Sequence, residues 1–139
     1  MTEKEREAIK FHHSKLEDCP LAVFSELEAG DILFIDSSHV SKIGSDVNYF
    51  LFEIFPRLAS GVFIHIHDVF YPFEYPEKWL FDGVAWNEAY LLRAFLQYNS
   101  EFQIEFFTSW VEHAHEEKIQ EHMPKWLKNS GGSIWLARK

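Results

Sequence analysis

Residues 30–39 read Gly-Asp-Ile-Leu-Phe-Ile-Asp-Ser-Ser-His, and residues 61–68 read Gly-Val-Phe-Ile-His-Ile-His-Asp. Each stretch opens on a glycine, runs through an apolar body of strand length, and closes on polar residues. A run apolar on both faces marks a buried parallel strand, because an antiparallel strand with one wet face would alternate. Between the two, Ser45 is placed to cap a helix whose apolar positions Val47, Phe50, Leu51, Ile54, Phe55 and Leu58 fall at helical spacing. Pro56 kinks that helix or marks its last turn. Strand, helix and parallel strand within so short a span make a right-handed βαβ unit.

Working outward, Asp18 with Pro20 reads as the entry to a short helix over Leu21, Phe24 and Leu27, stopped by Gly30. Residues 2–13 are charged and form a loosely held helix or tail. Downstream, the aromatic stretch 70–83 suits an ordered surface loop or lid. Residues 86–98 form a helix with Leu91, Leu92, Phe95 and Leu96 on its buried side, and Phe102, Ile104 and Phe106 alternate along a third strand. Residues 112–128 are polar and helix-permissive, and Ile134 to Ala137 form a fourth strand after Gly131-Gly132. The fold class is α/β.

The chain has 139 residues, enough for one sizeable core, which divides it into an N-terminal helix or tail over 1–19 and a single domain over 20–139. Its 13 Lys and Arg against 22 Asp and Glu leave a net charge of −9, which disfavours nucleic acid and anionic membrane surfaces as partners. One cysteine, Cys19, and no basic n-region before an apolar stretch point to the reducing cytoplasm. No apolar run approaches the ~20 residues of a membrane span. The 24 aromatic residues (14 Phe, 5 Tyr, 5 Trp) are more flat apolar surface than so short a chain readily buries.

Ligands of an open parallel sheet sit beyond the carboxyl ends of its strands. Asp36-Ser37-Ser38-His39 and His67-Asp68 both fall there. With strands about 4.8 Å apart, Asp36, His67 and Asp68 form an O, O, N set suited to a divalent cation; the alternative is that Asp36 caps the loop and His67 is a satisfied strand end. His39, in the loop over the strand ends, is the candidate general base. His65 shares a face with His67 and reads as a hydrogen-bonded core residue. His113, His115 and His122 lack the H-E-x-x-H spacing and read as a solvated face, Cys19 reads as a small buried hydrophobe, and no serine sits in a G-x-S-x-G elbow. No glycine belongs to a G-x-G-x-x-G turn.

The ordered series 27–39, Gly44-Ser45-Asp46-Val47-Asn48, Pro56-Arg57-Leu58, Gly61, His65-Ile66-His67-Asp68 and 86–92 resembles the C-terminal half of a class I S-adenosylmethionine-dependent methyltransferase, nearest the methyltransferase-24 group, from about Pro20 to Lys139. The resemblance implies a partial Rossmann-like, three-layer sheet whose strands correspond to the fourth to seventh of that fold, closing on an antiparallel pair, and lacking the glycine-rich cofactor half. It implies S-adenosylmethionine as cofactor, with Asp36 and Ser37 on its side, and a small-molecule substrate met by Asn87 and Glu88. In metal-dependent relatives such as the catechol O-methyltransferases, the ion's positions fall on Asp36, His67 and Asp68; a histidine among them admits Mn or Zn beside Mg. Such a chain is expected to pair with a second copy or with the missing N-terminal half. A non-catalytic partner-binding module, docking through the aromatic loop 70–81, is the reading from another class, and a metal-dependent hydrolase the third.

Overall fold

The computed structural model describes residues 8–128 and 130–139. Of the expected helix or tail over 2–13, residues 2–7 lie outside them, and residues 9–13 form no regular element. Four strands form one sheet in the order β1-β2-β4-β3, with β1 Ile32–Ile35, β2 Phe63–His67, β3 Phe102–Phe107 and β4 Ser133–Arg138. β1 and β2 are parallel, with Ile32 opposite Phe63 and Ile35 opposite Ile66. β4 runs antiparallel to both β2 and β3. The fold is therefore α/β, a mixed sheet flanked by helices, with the expected antiparallel closing pair.

Among the described residues, the α-helices beside the sheet include α1 Ala22–Ser25, α2 Asp46–Tyr49, α3 Glu77–Phe81, α4 Glu88–Leu96 and α5 Thr108–His122. α2 begins as its sequence dictates, with the Ser45 hydroxyl accepting from the Asn48 amide at 3.3 Å. It then widens into a π turn over Phe50–Ile54 and tightens to 3-10 over Phe55–Arg57, where Pro56 sits in the last turn. The six apolar positions of this stretch are all buried and pack, with Leu92 and Ala89 of α4, on Ile64, Ile66, Ile134 and Leu136. That is the core, and it lies on one face of the sheet.

The opposite face is only partly covered. Trp126, in a 3-10 turn after α5, brings its ring to 6.2 Å from Phe106 at the β3 side. On β1, however, Ile32 is 54% and Phe34 59% exposed. The third layer implied by the resemblance is thus absent over β1 among the described residues.

Several boundaries differ from the sequence reading, each for a local reason. Asp18 ends a 3-10 turn, Leu16–Asp18, and α1 starts after Leu21 with no side-chain cap. The aromatic stretch 70–83 holds α3 and is not loop throughout. On β3 a bulge between Ile104 and Phe106 breaks the alternation, so that Phe106 shares a face with Trp135 and Phe107 with the buried Ile134. α5 bends at His115, whose φ of −134° is not helical. Gly61, at φ +85°, turns the chain into β2 so close to Ala29 that a Cβ there would stand 2.7 Å from the alanine methyl.

Candidate active site

The polar ends of β1 and β2 meet where the sequence puts them, and His39 is at their centre. Its carbonyl accepts two amides from the start of α4, Asn87 at 3.0 Å and Glu88 at 3.2 Å. This ties the loop after β1 to the helix. His39 itself takes a left-handed backbone, φ 58°, and so does Asp68 at φ 57°. Non-glycine residues seldom adopt that region, and such strain persists where surrounding contacts over-determine it, often at functional sites.

The imidazole is 5% exposed and Glu88 1%. His39 Nδ1 lies 2.7 Å from Glu88 Oε2. A buried carboxylate is an acceptor, so this nitrogen carries the proton and Nε2 is left with the lone pair. Ser37 donates to the same Glu88 oxygen at 2.9 Å and accepts from the His39 amide at 2.9 Å. Trp86 lies over the ring at 4.0 Å between centroids, tilted by 30°. Nε2 faces two further carboxylates, Asp36 at 3.5 Å and Asp68 at 3.8 Å. The Asp36 side chain is 60% exposed, so the buried ring has a solvent-exposed carboxylate at its Nε2 edge.

Burial of the ring alone depresses its basicity, but the hydrogen bond and charge of Glu88, aided by Asp68 and Asp36, outweigh it and hold the pKa above the usual histidine value. The loop between β1 and α2 is fixed by its own bonds. Asp46 accepts from the Ser38 amide at 2.8 Å, and although burial works against its charge, these bonds hold its carboxyl below the ordinary range. Asn87 clamps the same loop, its side-chain oxygen accepting from the Ser41 amide at 2.6 Å and its nitrogen donating to the Ser41 carbonyl at 3.2 Å. Tyr75 accepts from the Ala89 amide at 2.9 Å, and burial pushes its phenol up to about 12.

The residues expected to act here therefore gather, in altered roles. Asn87 and Glu88, expected on the substrate, face inward: one holds the loop and the other holds His39. Ser37, expected on the cofactor, has its hydroxyl committed to Glu88 and to the His39 amide. The Asp36, His67 and Asp68 set does not assemble into a metal centre: among the described residues no group of three or more His, Cys, Asp or Glu side chains is placed to hold a metal ion. The physical reason is His39, whose imidazole faces both aspartates, while His67 pairs only with Asp68, Nδ1 to Oδ1 at 3.2 Å, and is 47% exposed. This donor set does not fit a divalent ion.

Elsewhere, His65 lies between Phe34 and Trp135, ring centroids 4.9 and 4.6 Å away. Its Nδ1 is buried without a partner, contrary to the hydrogen bond expected of it, and burial together with the neighbouring His67 lowers its pKa. Cys19 is half-buried, its sulfur 3.3 Å from the Ser14 hydroxyl.

The part of Glu88 was missed in the sequence, though a signal was there. Glu88 shares one helix face with Leu91, Leu92 and Phe95, at spacings of three, four and seven. A carboxylate on an apolar stripe needs a buried partner, and the histidine in the preceding strand-end loop was the candidate.

Residues 2–69 match a family model described as a methyltransferase domain of the methyltransferase-24 group. The match takes in β1, α2, β2 and the polar ends Asp36 to His39 and His67-Asp68, and stops before α4. No curated protein and no solved structure matches the chain. No helix among the described residues is long and apolar enough to cross a membrane.

Proposed function

We propose that this chain carries the acceptor side of a small-molecule methyltransferase, with His39 as the base that takes a proton from the acceptor's hydroxyl or amine. The observation that carries the reading is the 2.7 Å contact between His39 Nδ1 and the buried Glu88 carboxylate, which leaves Nε2 as a proton acceptor at the carboxyl ends of two parallel strands. The methyltransferase match over residues 2–69 supports the reaction class. The strand order β1-β2-β4-β3, with only β4 reversed, supports correspondence to the fourth, fifth, seventh and sixth strands of the class I fold.

In this reading Glu88 fixes the tautomer, and together with Asp36 and Asp68 it stabilises the imidazolium formed when Nε2 takes the proton. Trp86 covers one face of the ring and limits approach to the Nε2 edge. S-adenosylmethionine, the donor that the resemblance implies, supplies the methyl group as an electrophile. The residues present do not make its site: Ser37 is committed to Glu88, Asp36 is one exposed carboxylate, and no glycine-rich turn lies between a strand and a helix in this sequence.

The test is methyl transfer from radiolabelled S-adenosylmethionine at millimolar concentration to a panel of phenols and primary amines. The expected result is turnover that rises with pH as His39 loses its proton, and that falls at least ~100-fold in His39→Gln, the usual range for a lost general base. Turnover unchanged in His39→Gln, or none with any acceptor, contradicts the proposal. The second outcome favours the other reading, a non-catalytic partner-binding module, which the exposure of Ile32 and Phe34 supports.

A further inference from the structure

A cavity of ≈ 340 Å³ lies beside β3, on the far side of the sheet from β1, and shares no residue with the His39 network. Tyr71 and Phe73 line it from the stretch after β2, Phe106 and Phe107 from the end of β3, and Trp110 from the first turn of α5. These walls are tied together by their own bonds. The Tyr71 amide donates to the Ser109 hydroxyl at 2.7 Å, and the hydroxyls of Thr108 and Ser133 lie 2.6 Å apart, joining the start of α5 to β4. Phe107 is buried, and its ring meets that of Tyr71 at 6.0 Å and 83° and that of Phe73 at 5.2 Å and 60°. Adjacent rings thus form corners rather than a stack. Tyr71, Phe106 and Trp110 remain 44%, 38% and 43% exposed among the described residues.

The bulge on β3 makes this lining. Ile104 pairs with Leu136 and Phe106 with the adjacent Trp135, so Glu105 is the extra residue with no partner on β4. In an unbroken ladder Phe106 would oppose Ile134 and turn into the core, and Glu105 would oppose Trp135. The bulge instead seats Phe107 in the core, moves Phe106 out of it, and adds Glu105 to the cavity. The Glu105 carboxylate accepts from the Gln103 side-chain amide. It is the one charged group of the lining, which holds no Lys or Arg.

Aromatic walls with a single carboxylate select among occupants by charge. An anion meets Glu105 and a chain of net charge −9. A neutral apolar molecule gains nothing from the carboxylate. A bare ammonium gives up strongly held water to enter among rings, whereas a methylated ammonium spreads its charge over methyl groups that suit both the ring quadrupoles and the apolar surface. We propose that this cavity binds the head of a small quaternary ammonium molecule, with its methyl groups against Tyr71, Phe107 and Trp110 and its charge met by Glu105. The site is independent of the methyl-transfer reading. A bulge and a charge on an edge strand also discourage strand addition, and the experiment separates that role from ligand binding.

The probes are choline and the uncharged alcohol in which a carbon replaces choline's nitrogen, so that shape is kept and charge is lost. Binding to the whole chain is followed by the chemical shifts of the Trp110 indole and of the ligand methyl groups. The expected result is upfield-shifted choline methyls and choline bound at least ~10-fold more tightly than the alcohol, as for a partly desolvated cation over aromatic rings. Glu105→Gln weakens choline about threefold, the scale of an exposed charge pair, and leaves the alcohol unchanged. Trp110→Leu removes the preference for choline and Trp110→Phe keeps most of it, each with the circular dichroism spectrum retained. No saturable binding of choline, equal binding of choline and the alcohol, or choline affinity unmoved by both Glu105→Gln and Trp110→Leu would each overturn the proposal.

Discussion

His39 and His65 are both placed by the pair β1 and β2, yet the two strands treat them in opposite ways. At the strand ends, His39 is 5% exposed and both its ring nitrogens face carboxylates: Glu88 at Nδ1, with Asp36 and Asp68 about Nε2. On the open face of the sheet, His65 lies between two aromatic rings with Nδ1 unpartnered. Carboxylates raise the pKa of the first, and burial beside His67 lowers that of the second. The difference teaches where this sheet is finished. Its polar end is a network about His39 in which Glu88 Oε2 is shared and only Oε1 is left unpartnered, whereas over β1 its second face lacks, among the described residues, the layer that a parallel pair requires on both sides.

The comparison breaks most sharply at Glu88. Glu88→Ala leaves His39 and Ser37 without their shared acceptor in a buried site, and the expected loss of stability is about 3 kcal/mol, measured by urea unfolding. A loss under about 0.5 kcal/mol, the size of an ordinary surface substitution, would mean that Glu88 does not hold His39 and Ser37 in place. His65→Phe tests the other side. It removes the orphaned nitrogen and keeps a flat ring between Phe34 and Trp135, so stability is expected to rise by about 1 kcal/mol; a fall would show that the imidazole has a role on that face.

The pH dependence separates the two residues by sign. For His39, whose folded pKa is raised, the stabilising contribution is full below the ordinary value of 6.5 and is lost as pH rises through the folded value. For His65, whose folded pKa is lowered, the chain unfolded binds more protons than the chain folded, so stability is full above 6.5 and falls as pH drops through the folded value. The stability difference between wild type and His39→Gln should therefore shrink on the alkaline side of 6.5, and that between wild type and His65→Gln on the acid side. The same trend in both variants would contradict the assignment. The smallest effect is expected at Phe34→Ser, within about 0.5 kcal/mol because the ring is already exposed.

Much of this was legible in the sequence. The doubly apolar runs Ile32–Ile35 and Phe63–Ile66 fixed the parallel pair, and the helical spacing from Val47 to Leu58 identified the face that buries against it. The gathering of Asp36, His39 and Asp68 followed from the rule for strand ends. What local pattern could not supply was direction. Whether Asp36 and Asp68 face an ion or an imidazole depends on the left-handed turn at His39, which no alternation encodes. Asn87 and Glu88 were readable as the polar start of a helix, but not as groups turned inward, because that depends on how α4 docks against the loop after β1. The bulge on β3 and the exposure of β1 among the described residues are likewise tertiary facts.

The account rests on a base held ready by Glu88, and nuclear magnetic resonance titration of the His39 ring tests this most directly. In the wild-type chain the midpoint should lie above 6.5, and Glu88→Gln should move it down, because that substitution removes the charge while keeping an acceptor for Nδ1. A wild-type midpoint at or below 6.5, or one that Glu88→Gln leaves in place, would contradict it.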